Sequence, residues 1–175
     1  MENQFNLIKL TDNYQLKPFD CGDADLNDFL LNCSKDFSRG LLAVTYLIED
    51  ENNTIAFFSL ANDKISVTEL GSESKWAERF KDLLPIGKQF NSYPATKIVR
   101  LAVSLDYQFK GWGDAILDYL KIWFATDNRT GCKYITVDAY RASLKFYEKN
   151  KMIYLTSKDR KSDTRLMYFD LSKLS

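Results

Sequence analysis

The sequence predicts a single α/β (α+β) domain over residues 1–175, with a mixed central β-sheet flanked by helices. Three observations predict this fold class. The chain has 175 residues, of which 45% are hydrophobic, and this is enough to bury one substantial core. Short runs with the spacing of strands alternate with runs of helical spacing. A strand–helix–strand order from Ile98 to Ala139 favours a parallel, right-handed crossover.

The first half of the chain contains a predicted strand, a helix and a β-hairpin. Apolar residues over 5–10 predict the first strand, and helical spacing over 24–37 predicts the helix that follows. Asp23 precedes this helix and is placed to cap its first N–H groups. Two apolar runs, 41–50 and 54–61, predict strands joined by the turn DENN.

The second half contains more strands and helices around one irregular stretch. The periodicities predict a helix over 72–84, a loop over 84–97, strands over 97–103, 133–139 and 165–171, and a short helix over 142–150. A long helix follows the sequence GWG. We expect its apolar side to hold Ile116, Leu117, Leu120, Trp123 and Phe124. We expect its polar side to hold Asp114, Asp118 and Lys121.

Composition excludes several classes of chemistry. The chain has 24 basic and 24 acidic residues, so no overall field draws it to nucleic acid or membrane. It has no histidine, which excludes the usual Ser-His-Asp and Cys-His hydrolases. The cysteines Cys21, Cys33 and Cys132 are widely spaced, so we expect reduced thiols and no metal site. The N-terminus lacks a signal-peptide pattern and no long apolar run occurs, so we expect a cytoplasmic location without membrane contact.

The stretch YQFKGWGDAILDYL places two glycines directly before the long helix. Gly111 and Gly113 allow the backbone to approach a ligand closely and to take positive φ. The first N–H groups of a helix have no partner inside it and attract anions, so a pyrophosphate would suit this position. Lys110 adds a positive charge. The alternative is a simple turn between a strand and a helix.

The neighbours of these glycines carry a resemblance to a known superfamily. The order VRLAV, Gln-x-x-Gly-x-Gly, long helix, VDA and FYEKN resembles the GNAT superfamily of acetyl-CoA-dependent N-acetyltransferases. The loop matches at Gln108, Gly111 and Gly113, and the tyrosine of the family's FY pair matches Tyr147. The resemblance is strongest over 97–152, and the upstream order of strand, helix and hairpin agrees with it.

The resemblance implies a GNAT-type fold, acetyl-CoA as co-substrate and a set of site residues. Tyr147 is the implied catalytic acid, which would protonate the departing sulfur. The N–H of Val103 is the implied donor to the thioester carbonyl. The residues implied to bind acetyl-CoA are Leu101, Ala102, Val103, Gln108, Phe109, Lys110, Gly111, Trp112, Gly113, Asp114 and Ser143.

The segment PFDCGDADLNDFL is similar to the opening of a narrower GNAT branch, which includes toxins that acetylate the amino acid on charged tRNA. The matching positions are Phe19, Cys21, Gly22, Leu26, Phe29 and Leu30. This likeness implies charged tRNA as the acceptor, with an antitoxin or a second copy of the chain as a partner. That branch usually has Gly-Phe where Lys151 and Met152 stand here, so Asn150 is the residue expected to be left-handed.

Several residues and functions stay open at this point. Arg100 either binds substrate or pairs with a carboxylate inside the strand. Lys75, Arg79, Lys81 and Lys88 form either a rim that faces the substrate or a solvated helix face. Asp138 is the nearest strand carboxylate but is equally a structural residue, so we expect water to act as the base, or no dedicated base to exist. Two further functions stay open: acetylation of a small-molecule or protein amine, and acyl-CoA binding without turnover.

Overall fold

The computed structural model describes residues 6–81, 90–127 and 129–174, and its strands form one seven-stranded mixed sheet. The strands are β1 (Leu7–Lys9), β2 (Val44–Glu49), β3 (Thr54–Ser66), β4 (Ser92–Val103), β5 (Tyr134–Tyr140), β6 (Ile153–Tyr154) and β7 (Thr164–Asp170). Their order is β1-β2-β3-β4-β5-β7-β6. The helices are α1 (Ala24–Asp28), α2 (Ser34–Arg39), α3 (Val67–Leu70), α4 (Glu73–Phe80), α5 (Trp112–Thr126) and α6 (Leu144–Lys149). The predicted fold class is therefore confirmed, and the parallel crossover between β4 and β5 stays a prediction.

Contacts between backbone positions group the described residues into two compact units. The first unit comprises residues 98–120 and the described residues up to Ala61. The second comprises the described residues of 62–97 and of 121–175. The assignment of the chain to one domain remains a prediction. In the described ranges, no helix has the length and apolarity to cross a membrane.

In the first unit, β1, β2 and β3 pair antiparallel, as the hairpin pattern predicts. Asp50 forms the turn between β2 and β3, because its carboxylate accepts the N–H groups of Asn52 and Asn53 at 2.8 and 2.7 Å. Inside the hairpin, the hydroxyls of Thr45 and Ser59 are buried and lie 2.7 Å apart. The hydrogen bond between them satisfies two polar groups that face the core.

The predicted helix after Asp23 exists, but one turn of it is a π-helix. The Asp23 carboxylate accepts the N–H groups of Asp25 and Leu26 at 3.0 and 3.1 Å, which confirms the predicted cap. The π turn spans Phe29–Cys33, between α1 and α2. The Ser34 hydroxyl donates to the carbonyl oxygen of Leu30 at 2.6 Å and so satisfies a group that the wider turn displaces.

The core of the first unit is aromatic and lies beneath this helix. Phe29 and Phe57 stack with ring centroids 6.2 Å apart, and Phe19 meets Phe57 edge-on at 5.3 Å. Leu30 is fully buried beside them, and Ala102 of β4 belongs to the same cluster. The residues of the segment PFDCGDADLNDFL therefore serve packing as well as any functional role.

The expected loop over 84–97 is wrong in its second part, since β4 already begins at Ser92. Pro94 removes a backbone donor and so argued against a strand. Its side chain is exposed, and its carbonyl oxygen accepts the N–H of Lys133 at 2.9 Å, so the strand tolerates it. Tyr93 and Ala95, on either side of it, are buried. The first part of the expected loop, 84–89, lies outside the described residues.

An aromatic cluster forms the core of the second unit. Trp76 and Phe80 of α4 face inward, as the helical spacing predicts, whereas Leu83 and Leu84 lie outside the described residues. Their neighbours are tyrosines of three strands: Tyr93, Tyr134 and Tyr168. The predicted strand over 165–171 appears as β7, which pairs antiparallel with β5 and with the unforeseen two-residue strand β6.

Two expectations about helix positions are wrong. Lys121 was expected to face water, but it is 5% exposed, because it stands four residues after buried Leu117 on the same face. Its ammonium donates to the carbonyl oxygen of Asn150 at 2.9 Å, at the end of α6. Asn150 is not left-handed (φ −85°), and Lys151 takes that conformation instead (φ 64°). Asn150 is instead held by its side chain, which donates to the carbonyl oxygen of Phe146 at 2.9 Å.

Candidate functional site

The connection from β4 to α5 takes eight residues and contains two left-handed ones. The chain leaves β4 at Val103, makes a 3₁₀ turn over Leu105–Tyr107 and enters α5 at Trp112. Phe109 has φ 59° and Gly111 has φ 84°. The predicted need for glycine holds at Gly111, because an L-residue is strained there. We call residues 108–113 the glycine loop.

The side chain of Gln108 fixes the start of the glycine loop. Its amide Nε2 donates to the carbonyl oxygens of Val103 and Cys21, both at 2.9 Å. One amide group therefore ties together the end of β4, the loop and the N-terminal segment. A hydrophobic residue of the same size at position 108 would leave these two carbonyl oxygens without that donor.

The contact between Gln108 and Cys21 joins the two sequence motifs, which lie 87 residues apart in the chain. Two further contacts connect the same segments. Gly22 has φ 82°, and a β-carbon there would lie 3.1 Å from a methyl carbon of Leu105. The N–H of Leu105 donates to the carbonyl oxygen of Asp20 at 2.9 Å. The Cys-Gly of the N-terminal motif therefore has a structural role, because it supports the strand end that feeds the glycine loop.

The N-terminal support is itself held by side-chain hydrogen bonds. The Asp20 carboxylate accepts the N–H of Gly22 and the amide of Asn27, both at 2.8 Å. These bonds, with the backbone N–H first, lower the pKa of Asp20. The Asn27 side-chain oxygen in turn accepts the N–H of Cys21 at 2.9 Å. The segment from Asp20 to Asn27, which includes the first residues of α1, is thus held together by its own hydrogen bonds.

Two charged contacts hold the turn before the loop. The Tyr107 hydroxyl donates to the Asp50 carboxylate in the β2–β3 turn, and this bond raises the pKa of Tyr107. Lys110 curls back, since its ammonium donates to the carbonyl oxygen of Asp106 at 2.7 Å and lies 5.6 Å from the Tyr107 ring centre. The cation predicted for the loop is present, and it lies against the backbone of the turn that precedes the loop.

The backbone at Gly111 opens directly to solvent. A β-carbon built at Gly111 meets nothing within 4 Å. The first α-helical bond of α5 runs from the N–H of Ala115 to the carbonyl oxygen of Gly111 at 3.0 Å. The N–H groups of residues 112–114 therefore precede the helix's own hydrogen-bond ladder, at its positive end. This is the geometry that an anion needs, and Phe109 stands beside it with a fully exposed ring.

The predicted β4 residues are only partly covered. Leu101 and Val103 are half-buried, whereas Ala102 faces the core. Arg100 lies near one carboxylate, that of Asp25 in α1, and substrate binding by Arg100 stays a prediction. Its guanidinium lies 5.1 Å from the Phe29 ring centre and 3.9 Å from the exposed Asp25 carboxylate, and it remains partly accessible. The contact with Asp25 is long, so it leaves Arg100 available to a ligand.

Tyr147 and Ser143 belong to the second unit. Tyr147 is 6% exposed on α6, and burial raises the pKa of its phenol well above the ordinary value. Its hydroxyl therefore carries a proton throughout the neutral range. Ser143 is half-buried at the start of α6, and its side chain makes no capping hydrogen bond.

The other titratable candidates are engaged in ordinary structural contacts. The Asp138 carboxylate accepts a hydrogen bond from the Lys97 ammonium at 2.8 Å, and the Asp63 carboxylate lies 3.8 Å from the same ammonium. Cys132 is half-buried, and burial raises the pKa of its thiol, so it is a poor nucleophile at neutral pH. Among the described residues, no group of three or more His, Cys, Asp or Glu could hold a metal ion.

Two of the four cations expected to form either a rim or a solvated helix face line a cleft, and whether they face a substrate stays a prediction. Lys75 and Arg79 line a cleft of about 810 Å³ in the second unit, whereas Lys81 does not line it and Lys88 lies outside the described residues. Three further cations line the same cleft, and they were not predicted: Lys158, Arg160 and Arg165. They lie after residue 154, on segments far from α4 in sequence, so no local spacing could have grouped them with it.

Comparisons with solved structures assign the chain to the GNAT-type fold. A tyrosine-to-phenylalanine mutant of KacT is 19% identical, with a TM-score of 0.75 over 98% of this chain and 99% of that chain. AtaTR bound with AcCoA is 21% identical, with a TM-score of 0.74 over 97% and 95%. AtaT complexed with acetyl-methionyl-tRNAfMet is 21% identical, with a TM-score of 0.75 over 97% and 96%. No model of a known protein family matches the chain, and neither does a curated protein sequence.

A valine at Gly111 tests whether the open backbone there is a binding surface. Gly111→Val strains a left-handed position and places methyl groups in the open space, so acetyl-CoA affinity should fall at least about tenfold. Gly131→Val is the matched control, because Gly131 also faces open space but has no positive φ. The measurement is isothermal titration calorimetry with acetyl-CoA. Equal affinity of the two folded variants would contradict this role of the glycine loop.

Proposed function

We propose that the protein is an N-acetyltransferase that transfers the acetyl group of acetyl-CoA to a primary amine. One observation carries the proposal: the glycine loop presents open, left-handed backbone at the start of α5, and Gln108 fixes it to the end of β4. The fold supports the same conclusion, because a structure that matches 97% of the chain is of AtaTR bound with AcCoA.

The glycine loop suits the pyrophosphate of acetyl-CoA, which supplies an activated thioester when it is bound. The N–H groups of residues 109–114 would hold the phosphates, and the lack of a β-carbon at Gly111 leaves room for them. The half-buried edge of β4 at Leu101–Val103 would hold the pantetheine arm. The N–H of Val103 would donate to the thioester carbonyl as negative charge develops on its oxygen.

Tyr147 is the proposed acid. In acetyl transfer the acceptor nitrogen forms the new C–N bond, the C–S bond breaks, and the sulfur takes up a proton. Burial keeps Tyr147 protonated near neutral pH, so its hydroxyl can supply that proton. The amine loses its own proton to water, because Asp138 already pairs with Lys97. Much of the rate comes from holding the two substrates together.

The proposed acceptor is the amino group of an aminoacyl-tRNA. The N-terminal segment resembles the GNAT branch of tRNA-acetylating toxins, and a structure of similar fold is of AtaT complexed with acetyl-methionyl-tRNAfMet. An antitoxin is a further proposed partner, since another similar structure is of an AtaT mutant bound to the C-terminus of the antitoxin AtaR. A small-molecule or protein amine is the alternative acceptor, and acyl-CoA binding without turnover is the alternative to catalysis.

A panel of acceptors separates these functions. With acetyl-CoA, the protein should release coenzyme A in the presence of aminoacyl-tRNA and should acetylate its α-amino group. Free amino acids, polyamines and lysine peptides at the same concentration should react at least about a hundredfold more slowly, because they lack the binding energy of the RNA. The measurement is thiol release together with mass spectrometry of the aminoacyl group. Efficient acetylation of free amines alone would replace the tRNA acceptor, and no thiol release with any acceptor would leave acyl-CoA binding.

Removal of one hydroxyl tests the acid. Tyr147→Phe keeps the buried ring, so the fold and acetyl-CoA affinity should be unchanged, while kcat should fall roughly 10²-fold. Tyr140→Phe is the control, because it removes the same hydroxyl from an exposed tyrosine at the end of β5. Single-turnover kinetics would separate the chemical step from product release. Full activity of Tyr147→Phe would assign this tyrosine to packing.

A further inference from the structure

The cleft of about 810 Å³ in the second unit concentrates positive charge in a protein with no net charge. It is lined by five cationic side chains and one carboxylate, that of Glu78. The cations are Lys75, Arg79, Lys158, Arg160 and Arg165. We call this feature the basic cleft. Its charged residues come from α4 and from the chain after Ile153, so the fold brings together charges that are far apart in sequence.

Two of the five cations are fixed by neighbours. The Arg165 Nε donates to the Asp159 carboxylate at 2.7 Å, and its guanidinium lies 4.2 Å from the Tyr154 ring centre. Arg79 donates to the Tyr168 hydroxyl at 2.9 Å. These contacts hold both guanidinium groups in set positions on the wall of the cleft, and the Asp159 pair offsets much of the charge of Arg165.

The other three cations are exposed, and none of them pairs with an acidic side chain among the described residues. In the described part of the chain, no carboxylate lies within 4.0 Å of the side-chain nitrogens of Lys75, Lys158 or Arg160. The Lys158 ammonium lies directly over Gly71, where a β-carbon would come within 1.8 Å of it. The glycine therefore leaves the space that this ammonium occupies. Like charges gathered in this way repel one another, and an anion in the cleft would relieve that repulsion.

We propose that the basic cleft binds the phosphate backbone of an RNA, and this rests on the proposed function, in which a charged tRNA is the acceptor. Small-molecule sites are mostly apolar with a few placed polar groups, whereas charged side chains dominate this cleft. Lysine ammonium groups and arginine guanidinium groups are the usual ligands of backbone phosphates. Three such groups, none paired with a carboxylate in the described ranges, match several phosphates of one strand better than a single anion.

The local charge also resolves a conflict within the proposed function. The chain carries equal numbers of acidic and basic residues, so no overall field attracts RNA to it. Binding of a nucleic-acid backbone needs only a local set of cations, because each neutralised phosphate releases condensed counterions. The basic cleft supplies that set on one face of the second unit.

A double charge reversal tests the basic cleft. Lys158→Glu/Arg160→Glu reverses two exposed cations that lack acidic partners, and Lys64→Glu/Lys173→Glu is a matched control with the same change in net charge. Lys64 and Lys173 are exposed and do not line the cleft. The probe is fluorescein-labelled tRNA that carries no amino acid. The readout is fluorescence anisotropy between 50 and 200 mM KCl, where phosphate contacts are strongly salt-dependent.

The cleft double variant should bind tRNA at least about tenfold more weakly at 50 mM salt. The slope of log affinity against log salt should become less negative by about 1 to 2 units, or roughly one unit for each lost phosphate contact. The control should keep the affinity and slope of the unaltered protein. Acetyl-CoA affinity by calorimetry should be unchanged in both variants, which shows that they are folded.

Three outcomes would overturn the proposal: equal loss in the two double variants, no loss in the cleft variant, or no tRNA binding by the unaltered protein. If tRNA does not bind, calorimetric binding of inorganic phosphate or of a polyglutamate peptide at low millimolar concentration, lost in Lys158→Glu/Arg160→Glu and kept in the control, would reassign the cleft to another anion. The binding assay needs no acetyl transfer. Cleft-dependent tRNA binding without acetylation would therefore support the cleft and contradict the proposed function.

Discussion

The candidate site depends on one constraint: the chain must turn from β4 into α5 within eight residues while its backbone stays open to solvent. The amide of Gln108 meets the first part of this constraint, because it donates to the carbonyl oxygens of Val103 and Cys21. The positive φ of Gly111 meets the second part. Without the amide the loop would lose its attachment at two points, and with a β-branched residue at 111 the backbone would be strained and covered.

This constraint gives the N-terminal motif a physical meaning. The carbonyl oxygen of Cys21 accepts a hydrogen bond from the Gln108 amide, and Gly22 lies against Leu105. The Cys-Gly pair therefore supports the glycine loop. The helix that follows then buries Phe29 and Leu30 in the same core as Ala102 of β4. The motif that resembles the toxin branch is thus explained, in this chain, by support of the glycine loop. The basic cleft is therefore a separate argument for the proposed acceptor, independent of this motif.

Much of the fold follows from local patterns, and the errors lie where distant contacts decide the outcome. The Asp23 cap and the hairpin turn at Asp50 depend on side chains within three residues, so spacing predicts them. Lys121 is polar but faces inward, because a carbonyl oxygen 29 residues away accepts a hydrogen bond from its ammonium. No short stretch of sequence predicts the basic cleft, because its cations are also far apart along the chain. The glycine loop was predictable because its demand for positive φ is local, whereas its attachment to Cys21 was not.

Hydrogen exchange of the loop amides tests the central claim most directly, because it reports on the backbone groups that are proposed to hold the phosphates. Peptides that cover residues 105–115 would be followed by mass spectrometry with and without saturating acetyl-CoA. Exchange at residues 109–114 should slow at least about tenfold, and peptides of the β2–β3 hairpin should be unaffected. Unchanged exchange at the loop, in a protein shown by calorimetry to bind acetyl-CoA, would place the pyrophosphate elsewhere and contradict the account.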